Sequence, residues 1–328
     1  MTKLRIATRR SPLALAQTRW VIAKIREGSP ALEIEEVPLV TEGDRVLDVP
    51  LAKVGGKGLF VTEVEQALSD GRADLAVHSM KDVPEALAEG MDMLCIPERE
   101  DACDVLVTRG GEGFFDLPAG SRVGTSSLRR AVQLHAARND LAFVPLRGNV
   151  GTRLRKLDDG EFGAIVLAHA GLKRLGLDQE RRISVLPLDL SVPAVGQGAL
   201  GIEGRQGDLR LRALLSKLEH SSTRIAVEAE RSFLSRLHGG CTTPLAAHAR
   251  IDAGSLQIDG LVGSLDGAKV VRAAMQDWIG SSSEENIATA RRLGRELAEK
   301  LIEEGADEML EESRTTRDPY AAGLYSRG

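Results

Sequence analysis

The 328-residue chain has few aromatic residues: six Phe, two Trp and two Tyr make up 3% of it. That is too few for a base-stacking platform that would hold single-stranded nucleic acid. A basic excess is missing as well. Lys and Arg number 43 against 48 Asp and Glu, a formal charge of −5, which argues against a general nucleic-acid binder. Three cysteines in a chain of this length do not make a disulfide framework. No apolar run approaches the roughly 20 residues of a membrane-spanning helix. The segment Met1-Thr2-Lys3-Leu4-Arg5-Ile6 leads directly into a strand-like stretch, with no signal-peptide pattern. A cytoplasmic protein with neither membrane nor nucleic-acid partners is expected. What remains is a globular composition, 42% hydrophobic and 28% charged, at a length that predicts two or three domains. Basic character must therefore be local, and the placement of the arginines becomes the question.

The densest concentration of chemistry is Leu75-Ala76-Val77-His78-Ser79-Met80-Lys81-Asp82-Val83-Pro84. It begins apolar and β-prone, then turns polar within five residues. In open α/β sheets ligands bind beyond the carboxyl ends of strands, which predicts Asp82 at the mouth of a cleft with Lys81 beside it. A carboxylate with cationic neighbours stays ionised and can accept hydrogen bonds from N–H groups of a substrate.

Upstream, a strand at Leu4–Ala7 meets Arg9, Arg10, Ser11 and Pro12, the last two reading as an N-cap and first residue of a helix to Arg26. The helix N-terminus and the arginines favour an anion. The segment Lys53-Val54-Gly55-Gly56-Lys57-Gly58-Leu59-Phe60 lacks P-loop spacing and reads as a Gly-rich loop whose lysines fold over a substrate. The opening pattern returns at Gly124-Thr125-Ser126-Ser127-Leu128-Arg129-Arg130. Arg147-Gly148-Asn149-Val150-Gly151-Thr152-Arg153 and the stretch past Ala164–Ala168, with Lys173 and Arg174, repeat it again. Each half alternates strands and helices, the sign of open α/β sheets. Arginines gathered after strands in both halves of an acidic protein predict a cleft for a ligand with several anionic groups. The Gly-rich turn Val192–Leu200 is a candidate crossing back to the first lobe.

Ser221–His238 reads as a helix with Ser222 as N-cap and Gly239-Gly240 as its stop. Cys241 follows. On position alone it reads as packing rather than as a nucleophile, since thiolates are favoured at helix N-termini; a covalent attachment point would also suit it. Three strand-like runs (246–251, 256–262 and 269–275) predict an antiparallel meander. Ser282 with Glu285 forms a capping-box pattern that opens a helix to about Glu304. Residues from about Glu311 are polar and aperiodic, and a loose tail is expected.

Taken together, His78–Pro84, Gly124–Arg130, Arg147–Arg153, Pro193-Ala194-Val195-Gly196-Gln197-Gly198-Ala199 and Gly239-Gly240-Cys241 closely resemble the porphobilinogen deaminase (hydroxymethylbilane synthase) family, from about Leu4 to about Glu304. The resemblance implies two periplasmic-binding-protein-like α/β lobes with open mixed sheets and a third, small α+β domain. The limits expected are 1–97 with 197–217, then 98–196, then 218–310, with a tail at 311–328. It implies one covalent dipyrromethane cofactor, held by a thioether to Cys241, and porphobilinogen as substrate. Lys81, Asp82, Ser127, Arg129 and Arg130 would hold the cofactor. Arg9, Ser11, Arg147, Arg153 and Arg174 would bind substrate carboxylates, and Lys53, Lys57 and Phe60 lie in the matching mobile loop. Asp82 would be catalytic, hydrogen-bonding pyrrole N–H groups and stabilising the cation formed as ammonia leaves. No metal is implied, and a monomer is expected. The residues around Cys241 (His238, Thr242, Thr243) depart from commoner family patterns.

Overall fold

The computed structural model describes residues 3–41, 61–240, 243–316 and 318–325. Their strands form three sheets. The first contains β1 (Lys3–Arg9), β2 (Glu33–Leu39), β3 (Leu75–Ser79), β4 (Met91–Cys95) and β10 (Leu200–Arg205), in the order β2-β1-β3-β10-β4. The second contains β5 (Asp104–Thr108), β6 (Arg122–Gly124), β7 (Ala142–Val144), β8 (Ala164–Ala168) and β9 (Ile183–Leu186), in the order β7-β6-β8-β5-β9. The layouts match. In each, the second strand of the order (β1 or β6) lies parallel to both neighbours, and a reversed strand (β10 or β5) runs antiparallel to both of its own. The reversed strand is the first formed after the chain crosses from the other sheet. The chain therefore crosses twice, through 96–103 and 187–199.

Both sheets are covered on both faces, which is why strands such as Ala164–Ala168 are continuously apolar. Helix α1 (Pro12–Gly28) packs Val21, Ile22 and Ile25 on Leu4, Ile6 and Leu75, and α2 (Thr62–Ser69) covers Ala7 and Ala76 from the other side. In the second sheet α3 (Leu128–Ala137) packs on Val123 and Phe143, and α4 (Val150–Asp158) on Ile165 and Leu167. A short helix, α5 (His169–Arg174), follows β8, and α6 (Leu209–Leu215) follows β10.

The third sheet is the expected antiparallel meander of β11 (Leu245–Asp252), β12 (Ser255–Gly263) and β13 (Val270–Trp278). Its core is closed by α7 (Ser221–Arg236) and α8 (Ser283–Glu303), with Phe233, Leu297 and Leu301 among the fully buried residues. Ser282 caps α8 by accepting from the Glu285 N–H (3.3 Å). The ends of α7 differ from expectation. His220, not Ser222, is the N-cap, its imidazole accepting from the Thr223 N–H; the backbone turns left-handed at His238 (φ 47°), before the two glycines.

The segment after Glu311 departs from the expectation of a loose tail. Helix α9 (Ala306–Thr315) carries the chain on, and Leu324 and Tyr325 are then buried in the core of the second sheet. Three apolar side chains anchor this segment, too few to leave a periodic signal in the sequence.

The two crossings lie against each other. Glu100 N–H donates to Gly198 O (3.2 Å), and Gln197 Nε2 to Ala102 O (2.7 Å). Gly198 adopts φ +85°, and a Cβ there would collide with the Glu100 carbonyl, so the close approach requires glycine. Buried Glu230 of α7 ties these segments to the third sheet. It accepts from Arg99 (2.6 and 3.1 Å), Gly196 N–H (2.6 Å) and Ala249 N–H (2.8 Å).

Candidate active site

Parallel strands bring their carboxyl ends to one edge of a sheet, and several of these ends carry charged or hydroxyl side chains. β1 ends in Arg9, and Ser11 then caps α1 by accepting from the Ala14 N–H (3.2 Å). Beyond β3 the chain makes a 3₁₀ turn, Met80–Asp82. Its place is fixed by the return crossing: Met80 N–H donates to Ala199 O (3.0 Å). Gly196 (φ +70°) lies so close that a Cβ would sit 2.8 Å from Met80 Cβ and 3.1 Å from Lys81 N. Arg231 of α7 braces the other side, donating to Pro84 O (2.8 Å) and Glu85 O (2.9 Å). His78, although adjacent in sequence, is buried against Glu203, with 2.7 Å between nitrogen and oxygen.

In the second sheet Ser127 caps α3 and Asn149 caps α4 (Thr152 N–H to Asn149 Oδ1, 2.9 Å). Arg129 and Arg130, in the first turn of α3, are both buried, and both converge on Asp104 at the start of β5. Arg129 Nη1 donates to Asp104 Oδ2 (2.7 Å), and Arg130 Nη2 and Nε donate to Oδ1 (2.7 and 3.0 Å). Ser191 and Gln197 of the return crossing add further donors (2.9 and 2.8 Å). Burial alone would raise the Asp104 carboxyl, but Arg129 and Arg130 hold it far below the usual range. Each guanidinium has more N–H donors than Asp104 takes up, and the cluster of two cations and one anion keeps a net positive charge. Asp104 thus orients two cations without neutralising them.

The two walls face each other. The Lys81 ammonium is held down at about 8, chiefly by burial, with Arg130 and Arg129 adding to the fall and Asp82 and Asp104 opposing it. Arg153 is pushed down to about 10 by burial and by Arg130 and Arg147, against the pull of Asp82. Asp82 of the first sheet thus lies within electrostatic reach of Lys81 and Arg153. Arg174 is also lowered to about 10 by burial, and its Nη2 donates to Gly198 O (2.7 Å) at the crossing. Arg147 differs from the rest: its Nη2 is buried with no hydrogen-bond partner among the described residues.

The arrangement brings together Lys81, Asp82, Ser127, Arg129, Arg130, Arg147 and Arg153. It puts Arg9 and Ser11 on the same edge of the first sheet and Arg174 at the crossing. Lys53, Lys57, Phe60 and Cys241 lie outside the described residues. Next to Cys241, Gly240 and Thr243 bind each other, Gly240 N–H donating to Thr243 Oγ1 (2.9 Å) and Thr243 Oγ1 to Gly240 O (2.7 Å). The other two cysteines show no activation: burial raises both thiols, Cys103 to about 12 and Cys95 higher still. The sequence assigns no role to Asp104 or Arg231, and Gln197 enters only as a member of the Pro193–Ala199 motif. Asp104 stands at a strand start, and nothing local marks its two partners more than twenty residues on.

A wall of guanidinium groups opposite one carboxylate can bind a polyanion while stabilising a cation that forms on it. Comparison with known proteins agrees. Residues 4–213 match the family description "Porphobilinogen deaminase, dipyromethane cofactor binding domain", and residues 224–303 match "Porphobilinogen deaminase, C-terminal domain". A porphobilinogen deaminase from Syntrophotalea carbinolica is 52% identical over 307 residues, 94% of this chain and 95% of the relative. Among solved structures, the VFT2 domain of BvgS from Bordetella pertussis aligns at 15% identity over 66% of this chain and 86% of its own, with a TM-score of 0.40. The aliphatic sulphonate binding protein SsuA from Escherichia coli aligns at 14% over 73% and 71%, with a TM-score of 0.39.

Proposed function

Since the chain belongs to the porphobilinogen deaminase family, we propose that Asp82 and the arginines opposite it are what carry out that family's reaction here. The activity is that of hydroxymethylbilane synthase (EC 2.5.1.61). Four porphobilinogen molecules condense head to tail with loss of ammonia, and water releases the linear tetrapyrrole in tetrapyrrole biosynthesis.

The observation that carries the assignment is the Nη2 of Arg147, buried without a hydrogen-bond partner among the described residues, in the company of Lys81, Arg129, Arg130 and Arg153. A bare guanidinium edge calls for an acceptor, and the acetate and propionate side chains of porphobilinogen, which the dipyrromethane built from it also carries, supply carboxylates of that kind. The residues present therefore fit the cofactor. Lys81, Ser127, Arg129 and Arg130 would hold it, with Cys241 as its point of attachment. When bound, it supplies the nucleophilic ring carbon and the tether for the product. Arg147, Arg153 and Arg174 take carboxylates of the incoming pyrrole from the second lobe, and Arg9 and Ser11 take them from the first. Asp82 accepts the pyrrole N–H groups. Its negative charge stabilises the cation that develops on the substrate as ammonia departs, and its oxygens can receive and return the proton.

Lys53, Lys57 and Phe60 are assigned to a loop that folds over the cleft. The lobes are assigned to 1–97 with 197–217 and to 98–196, turning about the paired crossings, with the cofactor-bearing domain at 218–310. We read the protein as a cytoplasmic monomer, in keeping with its family; among the described residues no helix is long and apolar enough to cross a membrane.

Intact mass of the purified protein beside Cys241→Ser tests the assignment. An excess of two linked pyrrole units, lost in the variant, is expected. A protein that gains no such mass after incubation with porphobilinogen would overturn it.

A further inference from the structure

The chain has two tyrosines, and both are in the C-terminal segment beyond the family descriptions, which end at residue 303. Both are packed onto the second lobe. Tyr325 is buried and pairs with Phe143 as a parallel bridge on β7, the edge strand of that sheet. Leu324 is buried beside it, packed on the Gly267 turn of the third domain and on the core around Phe143 and Leu265. The rings of Tyr320 and Tyr325 meet edge to face at 5.0 Å. The segment is thus anchored on two domains at once, and Tyr320 is held by its neighbour.

The Tyr320 hydroxyl donates to Ser126 O (3.0 Å). The Ser126 hydroxyl in turn donates to Leu146 O and accepts from Leu146 N–H, each at 2.9 Å. These bonds join the loop after β6, which leads into Ser127 and α3, to the loop after β7, which presents Arg147. Burial raises the Tyr320 hydroxyl above its ordinary value, and the Arg147 guanidinium, presented by the loop that Ser126 binds, is near enough to oppose that rise. The phenol oxygen thus lies near an arginine whose buried Nη2 has no hydrogen-bond partner among the described residues.

We infer that Tyr320 is a positioning residue for Arg147, and that the C-terminal segment 318–325 thereby forms part of the wall that binds substrate carboxylates. The segment fixes the aim of a guanidinium whose Nη2 is buried without a hydrogen-bond partner among the described residues. This rests on reading Arg147 as a ligand of porphobilinogen carboxylates. Tyr320 itself takes no part in bond making.

The test compares four holoenzymes: wild type, Tyr320→Phe, a chain ending at Thr316, and Arg147→Leu. Each is weighed intact for its dipyrromethane and assayed for KM and kcat with porphobilinogen. The thermal midpoint is also followed as porphobilinogen is added. Tyr320→Phe keeps the ring contact with Tyr325 and removes only the hydroxyl. It is expected to carry a full dipyrromethane load and to raise KM by about three- to tenfold with kcat nearly unchanged, the scale of one lost hydrogen bond. The thermal response should need correspondingly more porphobilinogen. The shortened chain should show the same shift or a larger one. Unchanged KM and thermal response in Tyr320→Phe, with Arg147→Leu impaired, would overturn the inference while leaving Arg147 as a ligand. Unchanged values in Arg147→Leu as well would overturn the reading of Arg147 itself.

Discussion

Replacing Glu230 by Gln tests how the three parts of the molecule are locked together. Glu230 is fully buried, and its carboxylate holds Arg99 and Gly196 of the two crossings and Ala249 of β11. Burial alone would raise this carboxyl, but Arg99 and His248 outweigh burial and bring it to about 2 from an ordinary 4.5. A carboxyl depressed in the folded state stabilises the fold in full above about pH 4.5 and loses that contribution as pH falls through about 2. The difference is worth about 3 kcal/mol, of which about 1.4 kcal/mol is gone by about pH 3.5. Glutamine keeps the shape but leaves the Arg99 guanidinium buried without its counter-charge, at a cost of about 3–5 kcal/mol near neutral pH. Urea unfolding of both proteins at about pH 7 and about pH 3.5 is the assay. The variant is expected to be the less stable at both, with the gap narrowing by about 1.4 kcal/mol on acidification. A gap of the same size at both pH values would refute the reasoning, because the carboxylate would then not be the group whose ionisation holds the junction.

Gly198→Ala forces a side chain into a left-handed conformation and against the Glu100 carbonyl. The conformation alone costs about 1–2 kcal/mol, so a lowered thermal midpoint is expected by scanning calorimetry, and an unchanged one would mean that the crossings are not packed as described. Asp82→Asn retains size and places no new group in a core. Its unfolding free energy should stay within about 0.5 kcal/mol of wild type, with the dipyrromethane mass retained, while turnover falls by about a hundredfold or more. Near-normal turnover would remove Asp82 from its catalytic assignment.

The sequence carried the elements that announce themselves locally. Ser11-Pro12, Ser127 and Ser282 are helix starts because a hydroxyl before an amphipathic run satisfies the free N–H groups, and each caps the expected helix. The apolar runs of β3 and β8 and the meander of the third domain were legible for the same reason. Residues whose meaning depends on a distant partner were not. Asp104 is one carboxylate in a strand, and only the fold brings it under Arg129 and Arg130 from α3 and beside Gln197 from the return crossing. Arg231 is one arginine in a helix, and only the fold brings it to the backbone carbonyls of Pro84 and Glu85. The C-terminal segment gave the opposite impression from its fold, because two tyrosines and a leucine at irregular spacing anchor it.

The place of Asp82 depends on contacts from beyond its own lobe as well as within it, and this explains why a motif of seven residues needs the whole chain around it. Its turn is hydrogen-bonded to Ala199 and pressed by Gly196, both on the return crossing. The same Gly196 is bound by Glu230 of α7, and on that helix the adjacent Arg231 and, about a turn further on, Ser235 hold Pro84 and Glu85. Helix α7 begins at the other crossing, where Arg99 N–H donates to Thr223 Oγ1 (3.0 Å) and His220 N–H to Ile96 O (3.0 Å), and it leads to Gly240. One rigid helix therefore connects both crossings, the segment that carries the carboxylate and the segment that leads into Cys241. The arginines opposite are referenced to the same frame through Asp104, which binds Ser191 and Gln197 of the return crossing. A displacement at either crossing is felt at once by the carboxylate and by the cations facing it. The crossing segments thus set the distance between Asp82 and the arginines opposite it.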